Sequence, residues 1–342
     1  MKTKRIKINN ILEHSSGVQK AAAILKDGGV VAIPTETVYG LAVSAYNPDA
    51  ISKVFKAKGR PQDNPLIVHI SEFDMLEELV SDVPDSALEC ARLFWPGPFT
   101  MVLPRSDKVP DAVTAGLDTV AVRMPSNTVA RAIIGESGLP LAAPSANISG
   151  SPSTTTADHV LQDMDGKIDA VVISAPSKVG LESTVVTFCG EHPMLLRPGA
   201  VTVDQLKEVL PDLQIAEAVL QKIDADTPVQ SPGMKYKHYA PSTDIEMVSA
   251  SSAAFAEYAN SLGDDVCALC FSEDIPLLKV DYVSFGSENN AEQQAAELFD
   301  ALREIDKKGK KVAVAHAPSV SGVGLAVYNR LLRACAFKVK EL

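Results

Sequence analysis

Lys58 and Arg60 sit either side of a glycine and ahead of a proline, in the run Lys58-Gly-Arg-Pro-Gln-Asp-Asn-Pro-Leu-Ile-Val-His69. Two cations so close on a tight loop make an anion clamp, because Arg presents a planar fork of donors and Lys a point charge. A solvated basic loop is the commoner fate of any single such pair. Here the pair has company in Thr35/Thr37, Asn64/His69, Thr119/Arg123, Ser145/Asn147/Ser153, Ser183/Thr184 and Arg197. Hydroxyls and amides of this kind hydrogen-bond the polar groups of a ligand, and the cations stabilise charge developing on a phosphate. Each is weak alone, since Ser or Thr after a strand is more often a cap or turn residue. Together they point to a pocket for an anionic, nucleotide-like ligand. The sequence has no Walker A run, no GxSxG elbow and no histidine spacing of a zinc site.

The elements that must carry these residues follow from periodicity and punctuation. A helix over Pro48 to Lys56 leads into the turn that holds Lys58 and Arg60, and Leu66 to Ile70 reads as a short buried strand. Gly17 to Lys26 is helical and stops at Gly28-Gly29. The run Val30 to Ile33 is a strand delivering Pro34-Thr-Glu-Thr-Val-Tyr-Gly40, a place where α/β proteins put ligand contacts. Further helices are predicted over Phe73 to Val80, Asp85 to Phe94, Asn127 to Ile134, Ala157 to Met164 and Val203 to Leu210. Strands are predicted at Thr100 to Leu103, Thr119 to Met124, Leu139 to Ala143, Ala170 to Ile173, Ser183 to Phe188 and Met194 to Leu196. Helices alternate with strands, so an α/β fold with a mixed or mostly parallel sheet is expected.

From residue 211 the character changes. Ser231-Pro-Gly-Met-Lys-Tyr-Lys-His-Tyr-Ala-Pro241 is a Pro/Gly-bounded linker, but its aromatics and cations mark a segment that touches something. Beyond it, strands at Ile245 to Val248, Val266 to Leu269 and Val312 to Ala315 alternate with helices at Ala253 to Leu262, Ala291 to Ile305 and Leu325 to Ala336. The expected division is a first domain over 1–210, a linker over 211–243 and a smaller Rossmann-like α/β domain over 244–342. Gly322-Val-Gly324 lacks the third glycine of a dinucleotide fingerprint.

With 342 residues, 46% hydrophobic and 22% charged, the chain has the make-up of an ordinary globular protein with a large core. A net charge of -11 argues against broad capture of nucleic acid or an anionic membrane and leaves room for a local cationic pocket. No apolar stretch reaches the length of a membrane span. Five scattered cysteines read as reduced thiols, hence a cytoplasmic home, and Cys267-Ala-Leu-Cys270 reads as buried strand rather than a redox or zinc motif.

The motifs Pro34-Thr-Glu-Thr-Val-Tyr-Gly40, Lys58-Gly-Arg-Pro61, Asn64-Pro-Leu-Ile-Val-His69, Trp95-Pro-Gly-Pro98, Ala121-Val-Arg123, Ala143-Pro-Ser-Ala-Asn147-Ile-Ser-Gly150, Glu182-Ser-Thr-Val-Val186 and Leu196-Arg-Pro-Gly199 resemble those of the YrdC-type threonylcarbamoyl-AMP synthases. Ser231 to Pro241 and the domain after it resemble the two-domain, YwlC-type branch. The resemblance implies a twisted mixed sheet flanked by helices. It also implies a nucleotidyltransferase reaction in which L-threonine, bicarbonate (or CO2) and ATP give threonylcarbamoyl-adenylate and pyrophosphate. The product would pass to separate tRNA threonylcarbamoyl transferase proteins, for t6A modification. Carried over by motif, Lys58, Arg60, Ser145 and Asn147 surround the ATP phosphates and the reaction centre. Asn64, Thr119, Ser153 and Arg197 contact the nucleotide, and Thr35, Thr37, His69, Arg123, Ala143 and Ser183 belong to the threonine pocket. Tyr236, His238 and Tyr239 are lid candidates. Magnesium is expected with ATP, held by phosphates and water. Ala42, Asn127 and Thr154 depart from the usual pattern, and none has a proposed role. A nucleotide- or RNA-binding module on the same fold is the alternative, and it would have no need of a threonine pocket.

Overall fold

The computed structural model describes residues 2–62, 64–221 and 238–342. Two sheets organise them. The first contains β1 (Lys4–Lys7), β2 (Val31–Ile33), β3 (Gly40–Ser44), β4 (Ile67–His69), β5 (Phe99–Pro104), β6 (Thr119–Arg123), β7 (Leu141–Ala142), β8 (Ala170–Ile173), β9 (Thr184–Thr187), β10 (Met194–Arg197) and β11 (Gln214–Ile215). Their spatial order is β1-β8-β2-β3-β7-β4-β6-β5-β9-β10-β11, with parallel and antiparallel pairs interspersed. Against it lie α1 (Ser15–Lys26), α2 (Pro48–Lys58), α3 (Asp74–Glu77), α4 (Asp85–Phe94), α5 (Asp111–Thr114), α6 (Thr128–Ser137), α7 (Ala157–Met164) and α8 (Val203–Val209). Alternate residues of the strands face two different cores. Val68, Met101, Val122 and Val186 join one, while Ile67, Val102, Ala121 and Val185 join the other. This is the alternation of a sheet covered on both faces.

The second sheet holds β12 (Asp244–Ser249), β13 (Val266–Cys270), β14 (Asp281–Ser284), β15 (Val312–His316) and β16 (Val339–Glu341), in the order β14-β13-β15-β12-β16. Every pairing in it is parallel, and α9 (Ser252–Ser261), α10 (Ala291–Lys307) and α11 (Gly324–Ala334) supply the helices. Cys267 and Cys270 are both buried on β13 and join cores on opposite faces of the sheet. Burial pushes the two thiols up to about 11 and about 12, which suits packing rather than redox chemistry.

The two sheets share a core. Val38, Leu181 and Tyr239 pack in the cluster that includes Phe299, Leu302 and Leu331 of α10 and α11. Gly180, at φ 77°, approaches α10 so closely that a Cβ would lie 2.4 Å from the Ala295 carbonyl oxygen. Only glycine fits there. Asn127, one of the departures from the family pattern, caps α6 by accepting from the amides of Val129 and Ala130.

Candidate active site

Adjacent strand ends build one wall of the site. His69 ends β4, Arg123 ends β6 and Thr100 is the second residue of β5, and the register sets Arg123 beside both of the others. Thr184 begins β9 beside Phe99, and Arg197 ends β10. A mixed sheet thus brings strand ends and strand starts to one rim. The Thr100 and Ser183 hydroxyls are 2.7 Å apart, and Arg197 donates from Nε to the Ser183 carbonyl at 3.0 Å and from Nη2 to its Oγ at 3.1 Å.

The β2–β3 connection forms the second wall. Thr35 Oγ1 donates to the Val38 carbonyl at 2.6 Å and accepts from the amides of Thr37 and Val38, which knits the turn. Glu36 and Arg123 form a buried ion pair at 2.6 Å, and Arg123 also donates to Thr37 Oγ1 (2.8 Å) and the Gly97 carbonyl (3.2 Å). Among the described residues three of the five guanidinium N–H donors are engaged in this way, leaving one on each terminal nitrogen. Burial alone would raise the Glu36 carboxyl, but the charge and hydrogen bonds of Arg123 prevail and hold it below the usual range. His69 is pressed down to about 3, by burial first and by Arg123 second, so its ring is neutral.

The third wall differs from the sequence expectation. Lys58 was expected in a turn after a helix ending at Lys56; instead α2 runs on through Lys58. Gly59 is the reason: at φ 64° it forms a left-handed cap, and the amides of Gly59 and Arg60 close on the carbonyls of Lys56 and Phe55. The helix end aims the buried ammonium of Lys58 at the loop after β7, where it donates to the carbonyls of Ser145 (2.5 Å) and Asn147 (2.7 Å). Among the described residues two of its three N–H donors are engaged and one remains. Ser145 Oγ donates to Asn147 Oδ1 at 2.5 Å, and the Asn147 amide nitrogen donates to the carbonyls of Ile148 and Ser151.

A pocket lined by Thr35, Thr37, Lys58, Arg60, His69, Arg123, Ala143, Ser145, Asn147, Ser183, Arg197, His238 and Tyr239 therefore gathers most of the residues singled out from sequence. Four others stand outside its lining, among them Thr184, which is fully buried and donates its hydroxyl to the Val201 carbonyl at 2.7 Å. Ser153 is fully buried and donates its hydroxyl to Glu182 at 2.5 Å, Asn64 is buried just ahead of β4, and Thr119 is half-buried where β6 begins. Tyr236 lies outside the described residues. Two carboxylates were missed: Glu36, and Glu182, which lines the pocket and is held below its usual range, against burial, by Arg330 and Arg197. Each stood inside a quoted motif, and a lone acid amid apolar and hydroxyl residues was the available signal. The cavity encloses about 70 Å³. Gly199 backs its wall, where a Cβ would come within 2.3 Å of the Thr184 amide nitrogen and 2.7 Å of the Ser183 carbonyl carbon. Gly199→Ala is therefore expected to weaken ligand binding at Ser183 and to lower the melting temperature by several degrees, checked by calorimetry.

A mixed α/β sheet whose rim, together with the end of α2, brings three arginines, a buried lysine and a set of hydroxyls to one pocket defines a protein built for an anionic, polar ligand. Family comparison gives the particular class. Residues 23–199 match the Sua5/YciO/YrdC family model, described as telomere recombination, and 201–336 match the model for the C-terminal domain of threonylcarbamoyl-AMP synthase. A Bacillus subtilis protein named threonylcarbamoyl-AMP synthase is 43% identical, with 99% of each chain covered. A Pyrococcus abyssi protein of the same name is 41% identical over 94% of this chain and 95% of its own. The structure of P. abyssi Sua5 complexed with L-threonine superposes with a TM-score of 0.90 at 38% identity, covering all of both chains. That of a P. abyssi Sua5 variant with a histidine and the following tyrosine changed to alanine gives 0.91 over 99% of this chain and 98% of its own. The chain belongs to the threonylcarbamoyl-AMP synthase family.

Proposed function

We propose that the protein is an L-threonylcarbamoyladenylate synthase, a nucleotidyltransferase that makes threonylcarbamoyl-AMP and pyrophosphate from L-threonine, bicarbonate or CO2, and ATP for the t6A modification of tRNA. The observation that carries the site assignment is the meeting, in one pocket, of the Lys58–Ser145–Asn147 cluster with Arg123, Thr37, His69 and Ser183. The reaction needs no protein nucleophile. The threonine amine adds to CO2 and loses a proton to give a carbamate, whose oxygen attacks the α-phosphorus while pyrophosphate leaves. What the protein must supply is positioning and compensation of charge.

In this reading Lys58 and Arg60 neutralise phosphate oxygens, and Ser145 and Asn147 orient the reacting groups. Arg197 lies toward the nucleotide, while Asn64, Thr119 and Ser153 support its binding from behind the lining. The two unspent donors of Arg123 take the threonine carboxylate, with Thr35, Thr37, Ala143, Ser183 and the neutral His69 shaping the space around its side chain. Magnesium would ride on the ATP phosphates with water, since the pocket carboxylates Glu36 and Glu182 are already spent on arginines.

His238 and Tyr239, which line the pocket, are the closing elements of this reading. Tyr239 holds the strained φ of 65°, a conformation found at clamps and lids. Closure would shelter a hydrolysable adenylate from water. The matching division of the chain is a catalytic unit over 1–210, a linker over 211–243 and a second unit over 244–342, with β11 extending the first sheet into the linker. Partners downstream are tRNA threonylcarbamoyl transferase proteins, and the setting is the cytoplasm. Among the described residues no helix is long and apolar enough to cross a membrane.

Pyrophosphate release from ATP tests this. Release that requires both L-threonine and bicarbonate, and is weak with serine, is the expected result. Release independent of threonine would assign the pocket a different acceptor.

A further inference from the structure

Two arginines from the helices of the second sheet hold the loop that carries Ser145 and Asn147 from behind, Arg303 directly and Arg330 through Glu182. Arg330, on α11, has 0% of its surface exposed. Its Nε donates to Glu182 Oε2 at 2.8 Å, and its Nη2 donates to the carbonyls of Glu182 (3.2 Å) and Pro198 (3.0 Å). The other oxygen of Glu182 accepts the Ser153 hydroxyl. Arg303, on α10, forks Asp163 at 3.0 and 2.9 Å and also donates to the Pro152 carbonyl at 2.6 Å. Asp163 in turn accepts the Ile148 amide at 3.1 Å.

Three points along 148–153 are thus fixed, directly or through one carboxylate, by cations of the second sheet: the Ile148 N–H, the Pro152 carbonyl and the Ser153 hydroxyl. Those same turns accept the Asn147 amide at Ile148 and Ser151, and Asn147 accepts Ser145. Docking of two units could be met by rim contacts such as His159–Asp300, whose carboxylate is exposed. Sinking a whole guanidinium costs desolvation that apolar packing would avoid, and what it gains is a defined geometry.

We propose that Arg330 and Arg303 are positioning residues for the reaction: they set the 148–153 turn, and through it Asn147 and Ser145, against Lys58. The second unit is then the scaffold of the loop that meets the phosphates. This rests on the site assignment made above.

The test uses the full chain with Arg330→Met, Arg330→Lys, Arg303→Met and Arg303→Lys, assayed for threonine-dependent pyrophosphate release well below each variant's melting temperature. The Met variants should lose about tenfold to a hundredfold in kcat, as misplacement of about an ångström does. Their KM for ATP should change by less than about threefold, and the Lys variants should recover part of the rate because the charge is kept while the fork is lost. A role in docking alone would lower the melting temperature and leave kcat of the folded enzyme within about twofold of wild type. That result in both Met variants overturns the proposal. If Arg330→Met does not fold, the Arg303 pair decides. Asn147→Ala in the same assay separates the two claims. Should it match wild type, the site assignment itself fails; should it lose activity while the arginine variants keep theirs, only the scaffold role fails.

Discussion

Replacing Lys58 by methionine is expected to lower kcat for threonine-dependent pyrophosphate release by on the order of a thousandfold, the scale of losing a preorganised charge at the transferring phosphoryl group. The melting temperature should move by only a few degrees. Methionine matches the length of the stem, and the buried ammonium it removes was costly to desolvate. Against that, the Ser145 and Asn147 carbonyls lose a donor, at about 1–3 kcal/mol. The Lys58 ammonium is pulled down to about 7, by burial first and by Arg60 next, while Asp163 and Glu182 hold it up. In the free enzyme the cation is therefore lost as pH rises through about 7, and kcat/KM should fall along that limb. Bound triphosphate restores the charge, so the limb in kcat should lie at higher pH. For stability the sign is opposite: between that value and the ordinary value of 10.5 the unfolded chain binds the extra proton, so wild type gains on Lys58→Met as pH rises. Flat profiles for kcat/KM, with an active methionine variant, would remove Lys58 from the chemistry.

The same lysine marks where sequence reading of the fold stops. A helix ending at Lys56 and a turn at Lys58 are what a Gly-x-Pro run predicts, because glycine both caps helices and starts turns. Which of the two occurs depended on the left-handed Gly59, a matter of geometry. Four of the five strands that escaped notice share a cause; the fifth, β3, is a fully buried interior strand whose glycine start hid it in the preceding turn motif. β1 (Lys-Arg-Ile-Lys), β11, β14 and β16 are all sheet edges or their extensions. One side of an edge strand faces solvent, so charged and polar residues sit where the apolar run of an interior strand would be, and the hydrophobic signal is lost. β4 and β13, buried in sheet interiors, were legible as continuous apolar runs, and β6 by its alternation into Arg123.

The site was legible by residue type more than by partnership. Hydroxyls, amides and cations at strand ends could be named, because those types at those places have few structural uses. Their pairings could not: that Arg123 would already be held by Glu36, Thr37 and Gly97 follows from the sheet order β2-β3-β7-β4-β6-β5, which brings the β2–β3 connection to the end of β6 and so joins residues some 87 positions apart. The buried Arg330 sits inside an amphipathic helical pattern, where a basic residue reads as solvated surface. Only the docking of α11 against residues 181–198 turned that face inward.

Glu36→Ala should be the most destabilising single change in the pocket wall. Both partners of the pair are buried, with 9% of the Glu36 side chain and 4% of the Arg123 side chain exposed. Removing the carboxylate leaves a guanidinium without its counter-charge in that setting, a loss of about 3–5 kcal/mol, or a drop in melting temperature on the order of 10 °C. Glu36→Gln should lose less, since an amide oxygen still accepts from Nη2. Because the Glu36 carboxyl titrates below its ordinary value of 4.5, its contribution to stability is present above that value and is lost as pH falls through the lower, folded-state value. Melting curves of wild type and Glu36→Gln should therefore converge at acid pH and separate towards neutrality. Threonine affinity should fall alongside stability, since Arg123 freed from Glu36 no longer fixes Thr37 or aims its remaining donors into the pocket. An alanine variant that melts within a degree or two of wild type would mean that Thr37 and Gly97 suffice to hold Arg123, and the pair would then be worth no more than an exposed one.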